Sequence, residues 1–208
     1  MSDPTDVVRD GYDRIAEDYL RVRGEDDPDL ALVVDLADRL APGSRVLDAG
    51  CGAGRPIAAL LAERSVVTGI DLSRAQVRLA ARNVPRGGFA VADMRRLPFL
   101  DGVFAAAVSI YALIHVPRDD HAATLAELRR VLAPGGLLLV TMGASDLEGG
   151  VYPDYLVRGV PMYWSHYGRE RNHALVIDAG FEIVREELVR EDDSFGGGSH
   201  LFVLARRP

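Results

Sequence analysis

Residues 45–62 read RVLDAGCGAGRPIAALLA and carry the strongest local signal in this chain. A short apolar strand runs directly into a turn with three glycines, and an apolar helical segment follows the turn. Gly50 and Gly52 allow a tight turn and a close approach of the backbone to a ligand, which a Cβ atom at either position would obstruct. This strand–turn–helix unit predicts a site for a nucleotide-type ligand.

The residues that flank the glycines narrow the choice of ligand. In a dinucleotide-binding fold a pyrophosphate lies at the N-terminus of the helix, and the Asp48 carboxylate before the turn would repel it. Pro56 lies in the first turn of the helix, where the chain has no N–H to spare. The sequence therefore favours a ligand that brings a cationic group to this turn.

After about Ser44, predicted strands and helices alternate, which is typical of a mostly parallel sheet with helices on both faces. The predicted strands cover residues 45–48, 66–70, 89–92, 103–109, 137–141, 181–189 and 201–205. The predicted helices between them cover residues 57–63, 74–83 and 120–132, and residues 133–136 end the last of these. The final two strands, joined by the glycine-rich residues 190–200, predict an antiparallel hairpin.

The predicted fold class is α/β, with a doubly wound, mostly parallel seven-stranded sheet, an antiparallel C-terminal edge hairpin and N-terminal cap helices. The cap comprises two amphipathic patterns in residues 1–40, the second of which starts near Pro28. We expect residues 1–208 to form one domain, because 208 residues suffice to bury a full core without a disulfide or a structural metal.

Charge and cysteine content restrict the partners and the compartment. A formal net charge of -7 argues against nucleic acid, since phosphate binding requires a basic face. The single cysteine, Cys51, excludes an internal disulfide and indicates a reducing compartment. The chain starts without a signal-peptide pattern, and its apolar runs are too short to span a bilayer. We expect a cytoplasmic monomer or homodimer without a membrane partner.

Two aspartates follow predicted strands. Asp71 lies about twenty residues after the glycines, the distance at which a carboxylate at the neighbouring strand tip takes both ribose hydroxyls. Alternatively, Asp71 or Ser73 caps the next helix, and capping by Ser73 is compatible with ribose binding by Asp71. Asp93 ends the third strand; taken without the other motifs, it is equally a loop aspartate.

The chain as a whole resembles the class I S-adenosylmethionine-dependent methyltransferases, whose first motif is D/E-x-G-x-G-x-G. The segments DAGCGAG, GIDLS, ADMRRLPF, FAAAVSIYALIHVP and LRRVLAPGGLLLVTM stand in the order and spacing of that family. The resemblance implies S-adenosylmethionine as the cofactor, S-adenosylhomocysteine as its product and a small-molecule acceptor. Arg55 and Pro56 depart from the small or hydroxyl residues that many relatives have after the last glycine.

The resemblance also assigns cofactor-binding roles. It implies that Asp48 and Gly50 hold the amino-acid end, Asp71 the ribose, and Asp93 with Met94 the adenine. Tyr12 and Tyr19 of the first cap helix would close over the methionine moiety. The complete set of expected cofactor-binding residues is Tyr12, Tyr19, Asp48, Gly50, Gly52, Asp71, Leu72, Asp93, Met94 and Ser109.

Residues 143–168 form a connection that is long for a compact domain and rich in aromatic side chains, although only 7% of the chain is aromatic. We interpret it as an acceptor-site lid insertion beyond the carboxyl ends of the strands. The alternative is an insertion that packs a small hydrophobic cluster at the domain edge. The expected substrate-binding residues are Tyr111, Tyr163, Trp164 and His166.

Catalytic groups are harder to predict, because a sulfonium is already a good leaving group and methyl transfer mainly needs alignment. His115 and His166 are the candidate bases for a phenol, amine or carboxylate acceptor. The alternative for His115 is that it packs and hydrogen-bonds a loop carbonyl. The remaining histidines lack partners at metal-ligand spacing, so we predict no metal site.

Three functions are compatible with these residues. The first is S-adenosylmethionine-dependent methylation of an oxygen, nitrogen or carbon atom of a small-molecule acceptor. The second uses the same cofactor without methyl transfer, by intramolecular cyclisation or lyase-type chemistry. The third is a non-catalytic cofactor-binding protein, which the intact acidic positions disfavour.

Overall fold

The computed structural model of the chain describes residues 3–23, 30–190 and 198–208. Pro28 and residues 191–197 of the predicted hairpin connection lie outside the described residues. The helices are α1 Pro4–Val22, α2 Leu30–Asp38, α3 Ile57–Leu61, α4 Arg74–Asn83, α5 His121–Val131 and α6 Arg169–Asp178. The strands are β1 Arg45–Ala49, β2 Val66–Asp71, β3 Gly88–Val91, β4 Phe104–Ser109, β5 Leu132–Gly143, β6 Leu147–Tyr152, β7 Met162–His166, β8 Glu182–Arg190 and β9 Ser199–Arg206.

Seven strands form one sheet in the order β3-β2-β1-β4-β5-β9-β8. The first five of these are parallel, while β9 pairs antiparallel with both β5 and β8. The predicted sheet and its antiparallel edge hairpin are therefore confirmed. Because the chain moves outward from β1 in one direction and from β4 in the other, a crevice opens between their carboxyl ends, where ligands bind in such sheets.

Helices cover both faces of the sheet. Neighbouring strand residues point to opposite sides, so Leu47 packs in one core with α5 and α6, whereas Val46 packs in another with α2 and α3. Both side chains are fully buried. These two cores confirm the doubly wound arrangement and hold the strand ends in fixed positions.

Residues 143–168 contain regular structure that the sequence pattern did not indicate. β6 and β7 pair antiparallel as a separate two-stranded sheet. The sequence of β6, LEGGVY, contains two glycines, and glycine weakens a strand pattern. The strand β5 also starts earlier than predicted, because the N–H groups of Gly135 and Arg207 continue its pairing beyond β9.

Candidate active site

The glycine turn follows β1 and uses its glycines in two different ways. Gly50 and Gly52 have φ angles of 89° and 50°, in the left-handed region that favours glycine. A Cβ on Gly50 would collide with the side chain of Ala112. A Cβ on Gly52 would instead have its nearest described neighbour, Oε1 of Gln76, at 3.9 Å. Gly50 is therefore required for packing, whereas a Cβ on Gly52 would make only ordinary van der Waals contacts.

Asp71, at the end of β2, connects this turn to the next helix. Its Oδ2 accepts the Gly52 N–H at 2.9 Å, and its Oδ1 accepts the Ser73 N–H at 2.8 Å. Burial raises the Asp71 pKa to about 6, and these two backbone donors oppose that shift. The Ser73 hydroxyl caps α4 by accepting the Gln76 N–H at 3.1 Å, so the predicted cap is confirmed.

A first cavity lies against this turn and encloses about 690 Å³ of empty volume, part of it open to solvent. The cavity brings together most of the predicted cofactor-binding residues: Tyr12, Tyr19, Gly50, Gly52, Asp71, Leu72, Asp93 and Met94.

Two predicted cofactor-binding residues lie behind the cavity wall. Asp48 is 2% exposed, and its Oδ2 has no hydrogen-bond partner among the residues that the structure describes. Burial raises the Asp48 pKa to about 7, with a further contribution from the charge of Asp71. Ser109 is buried at the end of β4, where its hydroxyl donates to Sδ of Met94 at 4.0 Å. Their cofactor roles stay predictions.

Asp93 is held by a neighbouring cation. Its Oδ2 accepts from Nη2 of Arg95 at 2.7 Å, and Oδ1 accepts the Arg95 N–H at 2.9 Å. The same guanidinium reaches Oδ2 of Asp120 at 3.1 Å. An adenine amino group at Asp93 would share the carboxylate with Arg95, a partner that the sequence pattern did not reveal.

A second cavity, with about 1150 Å³ of empty volume that includes open solvent, adjoins the first. Four side chains line both cavities: Tyr12, Tyr19, Tyr111 and His115. The second cavity continues along the β6–β7 insertion, where Trp164 packs edge-to-face against Tyr155 at 4.9 Å and against Tyr152 at 5.4 Å between ring centroids. These rings supply flat apolar walls with polar edges.

His115 lies in the wall that the cavities share and is 8% exposed. Its Nδ1 lies 2.7 Å from the Tyr163 carbonyl oxygen, which can only accept, so Nδ1 carries the proton. Its Nε2 therefore accepts from the Tyr12 hydroxyl at 2.9 Å. Burial lowers the His115 pKa to about 4. The imidazole is neutral at neutral pH, and its Nε2 lone pair faces Tyr12.

Tyr111 follows β4 in an unusual backbone conformation. Its φ of 54° lies in the left-handed region, which costs a residue with a Cβ about 1–2 kcal/mol. Its ring contacts Arg23, whose guanidinium lies 4.9 Å from the ring centroid. Strain of this kind concentrates at functional sites, and here it places the ring in the shared wall.

The helix α1 covers both cavities. It supplies Tyr12 and Tyr19 to both cavities, and their rings lie 5.3 Å apart in an edge-to-face arrangement. Oδ1 of Asp13 accepts from the Ser73 hydroxyl at 2.6 Å and from the Ala75 N–H at 2.9 Å. α1 is thereby tied to the start of α4.

Of the other predicted acceptor-site residues, one lines the second cavity and two lie outside the described lining of both cavities. Trp164 lines the second cavity, whereas Tyr163 gives His115 its carbonyl and packs its side chain near α1. Nδ1 of His166 donates to the Ser145 carbonyl at 2.7 Å, and the ring lies against Gly143, outside the described lining of both cavities. The roles of Tyr163 and His166 stay predictions.

Gln76 lines the first cavity, although the sequence pattern did not predict it as a site residue. A signal was present, because Gln76 falls with Leu79 and Ala80 on the buried face of α4, where a polar side chain is unusual. Across residues 3–23, 30–190 and 198–208, no group of three or more His, Cys, Asp or Glu side chains lies close enough together to hold a metal ion.

A family model described as a methyltransferase domain matches residues 46–136, which contain the glycine turn, Asp71, Asp93 and His115. This part of the chain, 91 of its 208 residues, is therefore similar to a methyltransferase domain. Methyltransferase GfsG of Streptomyces halstedii is 36% identical to this chain over 148 residues, which are 65% of this chain and 50% of that protein.

Solved structures show the same methyltransferase fold over nearly the whole chain. Magnesium protoporphyrin IX methyltransferase of Synechocystis PCC 6803, with bound S-adenosylhomocysteine, superposes with a TM-score of 0.77 at 22% identity and covers 99% of this chain and 100% of that one. The 1,6-didemethyltoxoflavin-N1-methyltransferase of Burkholderia thailandensis gives 0.75 at 24% identity, with coverages of 100% and 91%.

The chain spans about half the length of the curated relatives that it matches, with 50%, 40% and 54% of three of them covered. In the described part of the chain, no helix combines the length and the apolar character needed to cross a membrane.

Proposed function

We propose that this protein transfers the methyl group of S-adenosylmethionine to a small-molecule acceptor. The observation that carries the proposal is the shared wall of the two cavities, formed by Tyr12, Tyr19, Tyr111 and His115. One cavity holds the groups that suit the cofactor, and the other offers an aromatic surface. A methyl group that crosses this wall needs only alignment with the acceptor atom.

The first cavity fits S-adenosylmethionine on three counts. The backbone of Gly52 lines the cavity, the Asp71 carboxylate faces the cavity with unused lone pairs for the ribose hydroxyls, and Leu72 with Met94 offers an apolar surface to the adenine. When bound, the cofactor supplies an electrophilic methyl group on a positively charged sulfur. Asp48 and Ser109 support this cavity from behind, and Tyr12 and Tyr19 cover it.

The second cavity suits a planar, largely apolar acceptor. Trp164 meets both Tyr155 and Tyr152 edge-to-face, and the charged residues among the cavity's described lining are Arg23 and Asp154, apart from the histidines. We propose that residues 143–168 act as the acceptor-site insertion, in which Tyr163 positions His115 and His166 stabilises the turn after β5.

His115 is the candidate base. Its neutral Nε2 can take a proton by way of the Tyr12 hydroxyl, while the Tyr163 carbonyl holds Nδ1–H and stabilises the imidazolium that forms. Because burial lowers its pKa to about 4, the base is fully deprotonated at neutral pH but weak. It therefore suits an acidic acceptor such as a phenol better than an alcohol.

We also propose that residues 1–208 act as one cytoplasmic domain, monomeric or homodimeric, without a nucleic-acid partner. The net charge of -7 supports the last point, since binding to phosphate requires clustered positive charge.

The proposed reaction is tested by incubating the protein with S-adenosylmethionine and a panel of planar phenols, aryl amines and aryl carboxylates. Mass spectrometry should detect S-adenosylhomocysteine and a methylated acceptor only when both substrates are present. Methylthioadenosine without any acceptor would establish lyase-type or cyclisation chemistry instead. Asp71→Ala serves as the control with weakened cofactor binding.

A further inference from the structure

At neutral pH, Arg23 is the one cation among the described residues that line the second cavity. Two histidines also line it, but burial lowers the pKa of both His115 and His200 to about 4, so their imidazoles are neutral. The acidic residue of the described lining, Asp154, is exposed and accepts the Gly159 N–H at 2.6 Å. The cavity therefore offers an anion a half-buried guanidinium, whereas it offers a cation only an exposed carboxylate.

The Arg23 guanidinium lies over an aromatic ring. Arg23 directly follows α1, and its guanidinium carbon lies 4.9 Å from the centroid of Tyr111. The Tyr111 ring in turn packs edge-to-face against His200 at 5.2 Å and against Phe202 at 5.7 Å between centroids. The contact with the ring engages the face of the guanidinium, while its N–H donors point outward in a planar fork that matches the two oxygens of a carboxylate.

The guanidinium and the candidate base lie at different positions along α1. The hydroxyl of Tyr12 contacts Nε2 of His115 at 2.9 Å, and Arg23 follows Tyr12 after about 16 Å of helix rise. The spacing of Tyr12, Tyr19 and Arg23 places them on one face of the helix, and all three line the second cavity. An acceptor in this cavity can therefore present its nucleophile to His115 at one end and an anionic group to Arg23 at the other.

We infer that the acceptor is a planar hydroxyaryl acid whose carboxylate binds Arg23, a substrate class that rests on the proposed function. The carboxylate accepts two parallel hydrogen bonds from the guanidinium, and the ring system lies along Trp164 and Tyr111. This pairing fixes the orientation of the acceptor, so that its hydroxyl faces the shared wall at Tyr12 and His115. Methyl transfer depends mainly on such alignment.

Two ligands that differ only in the carboxylate test this inference, namely 6-hydroxy-2-naphthoate and 2-naphthol. Their Kd values are measured by calorimetry on protein saturated with S-adenosylhomocysteine. We expect the wild type to bind the naphthoate about tenfold more tightly than the naphthol. Arg23→Gln should raise the Kd for the naphthoate about tenfold and leave that for the naphthol nearly unchanged. Arg23→Lys, which keeps the charge and loses the planar fork, should raise it about threefold.

Arg21→Gln is the matched control. Arg21 is exposed on α1, pairs with Asp18 at 3.0 Å and is not among the described residues that line the second cavity. Its substitution removes the same charge and should change neither Kd. Trp164, the single tryptophan of the chain, lines the cavity and reports its occupancy. Its fluorescence should change when the naphthoate binds, and binding without such a change would place the ligand elsewhere and overturn the inference.

Equal affinities of the wild type for the two ligands, or a wild-type affinity of Arg23→Gln for the naphthoate, would also overturn the inference. If Arg23→Gln does not fold, Arg23→Lys carries the test, and its failure to weaken the naphthoate would overturn the assignment of the fork. A wild type that binds S-adenosylhomocysteine but neither naphthalene would remove this substrate class and leave the proposed function intact. A wild type that does not bind S-adenosylhomocysteine would remove the proposed function as well.

Discussion

The two adjoining cavities are built in different ways. About half of the residues that line the first cavity lie between Gly50 and Met94, at strand ends, in turns and at the start of α4, and α1 and the residues after β4 supply most of the others. The second is assembled from distant segments, including Arg23, Trp164 and His200. Only a few side chains from α1 and from the end of β4 belong to both.

This difference predicts which substitutions alter the stability of the protein and which alter only acceptor binding. A cavity made of backbone turns and strand ends is as rigid as the sheet, so its residues should affect stability and cofactor affinity together. A cavity that is lined by the inserted hairpin and by distant segments depends on side chains. Its residues should affect acceptor binding while leaving the fold and the cofactor affinity intact.

Gly50→Ala should give the largest effect on stability, because it disrupts the packing of the turn that lines the first cavity. The new Cβ would collide with Ala112 at a left-handed φ of 89°, and we expect a loss of about 4 kcal/mol or more in the free energy of unfolding. Gly52→Ala, at a φ of 50° where the new Cβ makes only ordinary van der Waals contacts, should lose only about 1–2 kcal/mol. Urea denaturation of both variants measures this, and equal losses would contradict the distinction between the two glycines.

Asp71→Ala should weaken binding of S-adenosylhomocysteine by about 2–4 kcal/mol, because a charged acceptor contributes roughly 1.5–3 kcal/mol for each hydrogen bond and the two are not additive. Isothermal titration calorimetry measures the affinity, and circular dichroism checks the fold. Trp164→Ala, in the second cavity, is the control that should bind S-adenosylhomocysteine normally. Identical dissociation constants for the wild type and Asp71→Ala would remove the ribose assignment.

The same difference explains what the sequence could predict. The positions of Gly50, Gly52 and Asp71 follow from short-range spacing, because a strand, a turn and the next strand tip are fixed by the parallel sheet. The bond between Tyr12 and His115 joins residues 103 positions apart, and no local pattern encodes it.

The sequence pattern also did not predict the pairing of β6 with β7, because the two glycines in β6 weaken its strand pattern. Trp164 and His166 are close in sequence and were expected to act together. The structure instead places His166 against Gly143 and Ser145, because tertiary packing selects among the aromatic side chains of the insertion.

His115→Ala should lower turnover by about a hundredfold at neutral pH with little change in cofactor affinity, because it removes the proton acceptor in the shared wall. Tyr12→Phe, which removes the hydroxyl that passes the proton to Nε2, should give a comparable loss. Since the His115 pKa is about 4, the wild-type rate should show no histidine titration between pH 6 and 7. Activity of both variants within a few fold of wild type would exclude general-base catalysis by His115.

Trp164→Ala should raise the Michaelis constant for the acceptor about tenfold, because it removes a flat apolar wall of the second cavity. The turnover number should change little. Tyr163→Ala provides a contrast, because the hydrogen bond to His115 comes from the backbone carbonyl of residue 163, which this substitution keeps. Steady-state kinetics with the acceptor varied separates the two constants; a loss confined to the turnover number would place Trp164 in the chemical step instead.

The pH dependence of cofactor binding should give the smallest effect. Asp71 accepts the ribose hydroxyls best as a carboxylate, and burial raises its pKa to about 6. The affinity for S-adenosylhomocysteine should therefore be about fourfold lower at pH 5.5 than at pH 7. In Asp71→Asn, which cannot titrate, this dependence should flatten. A slope that persists in Asp71→Asn would assign it to another group, with Asp48 the nearest candidate.

The central claim is that the cofactor occupies the first cavity and presents its sulfur to the second. A crystal structure of the protein with S-adenosylhomocysteine tests this most directly. We predict the ribose at Asp71, beside Gly52, and the sulfur at the wall formed by Tyr12, Tyr111 and His115 with its free side toward Trp164. A sulfur that faces away from this wall, or a cofactor bound in the second cavity, would contradict the account.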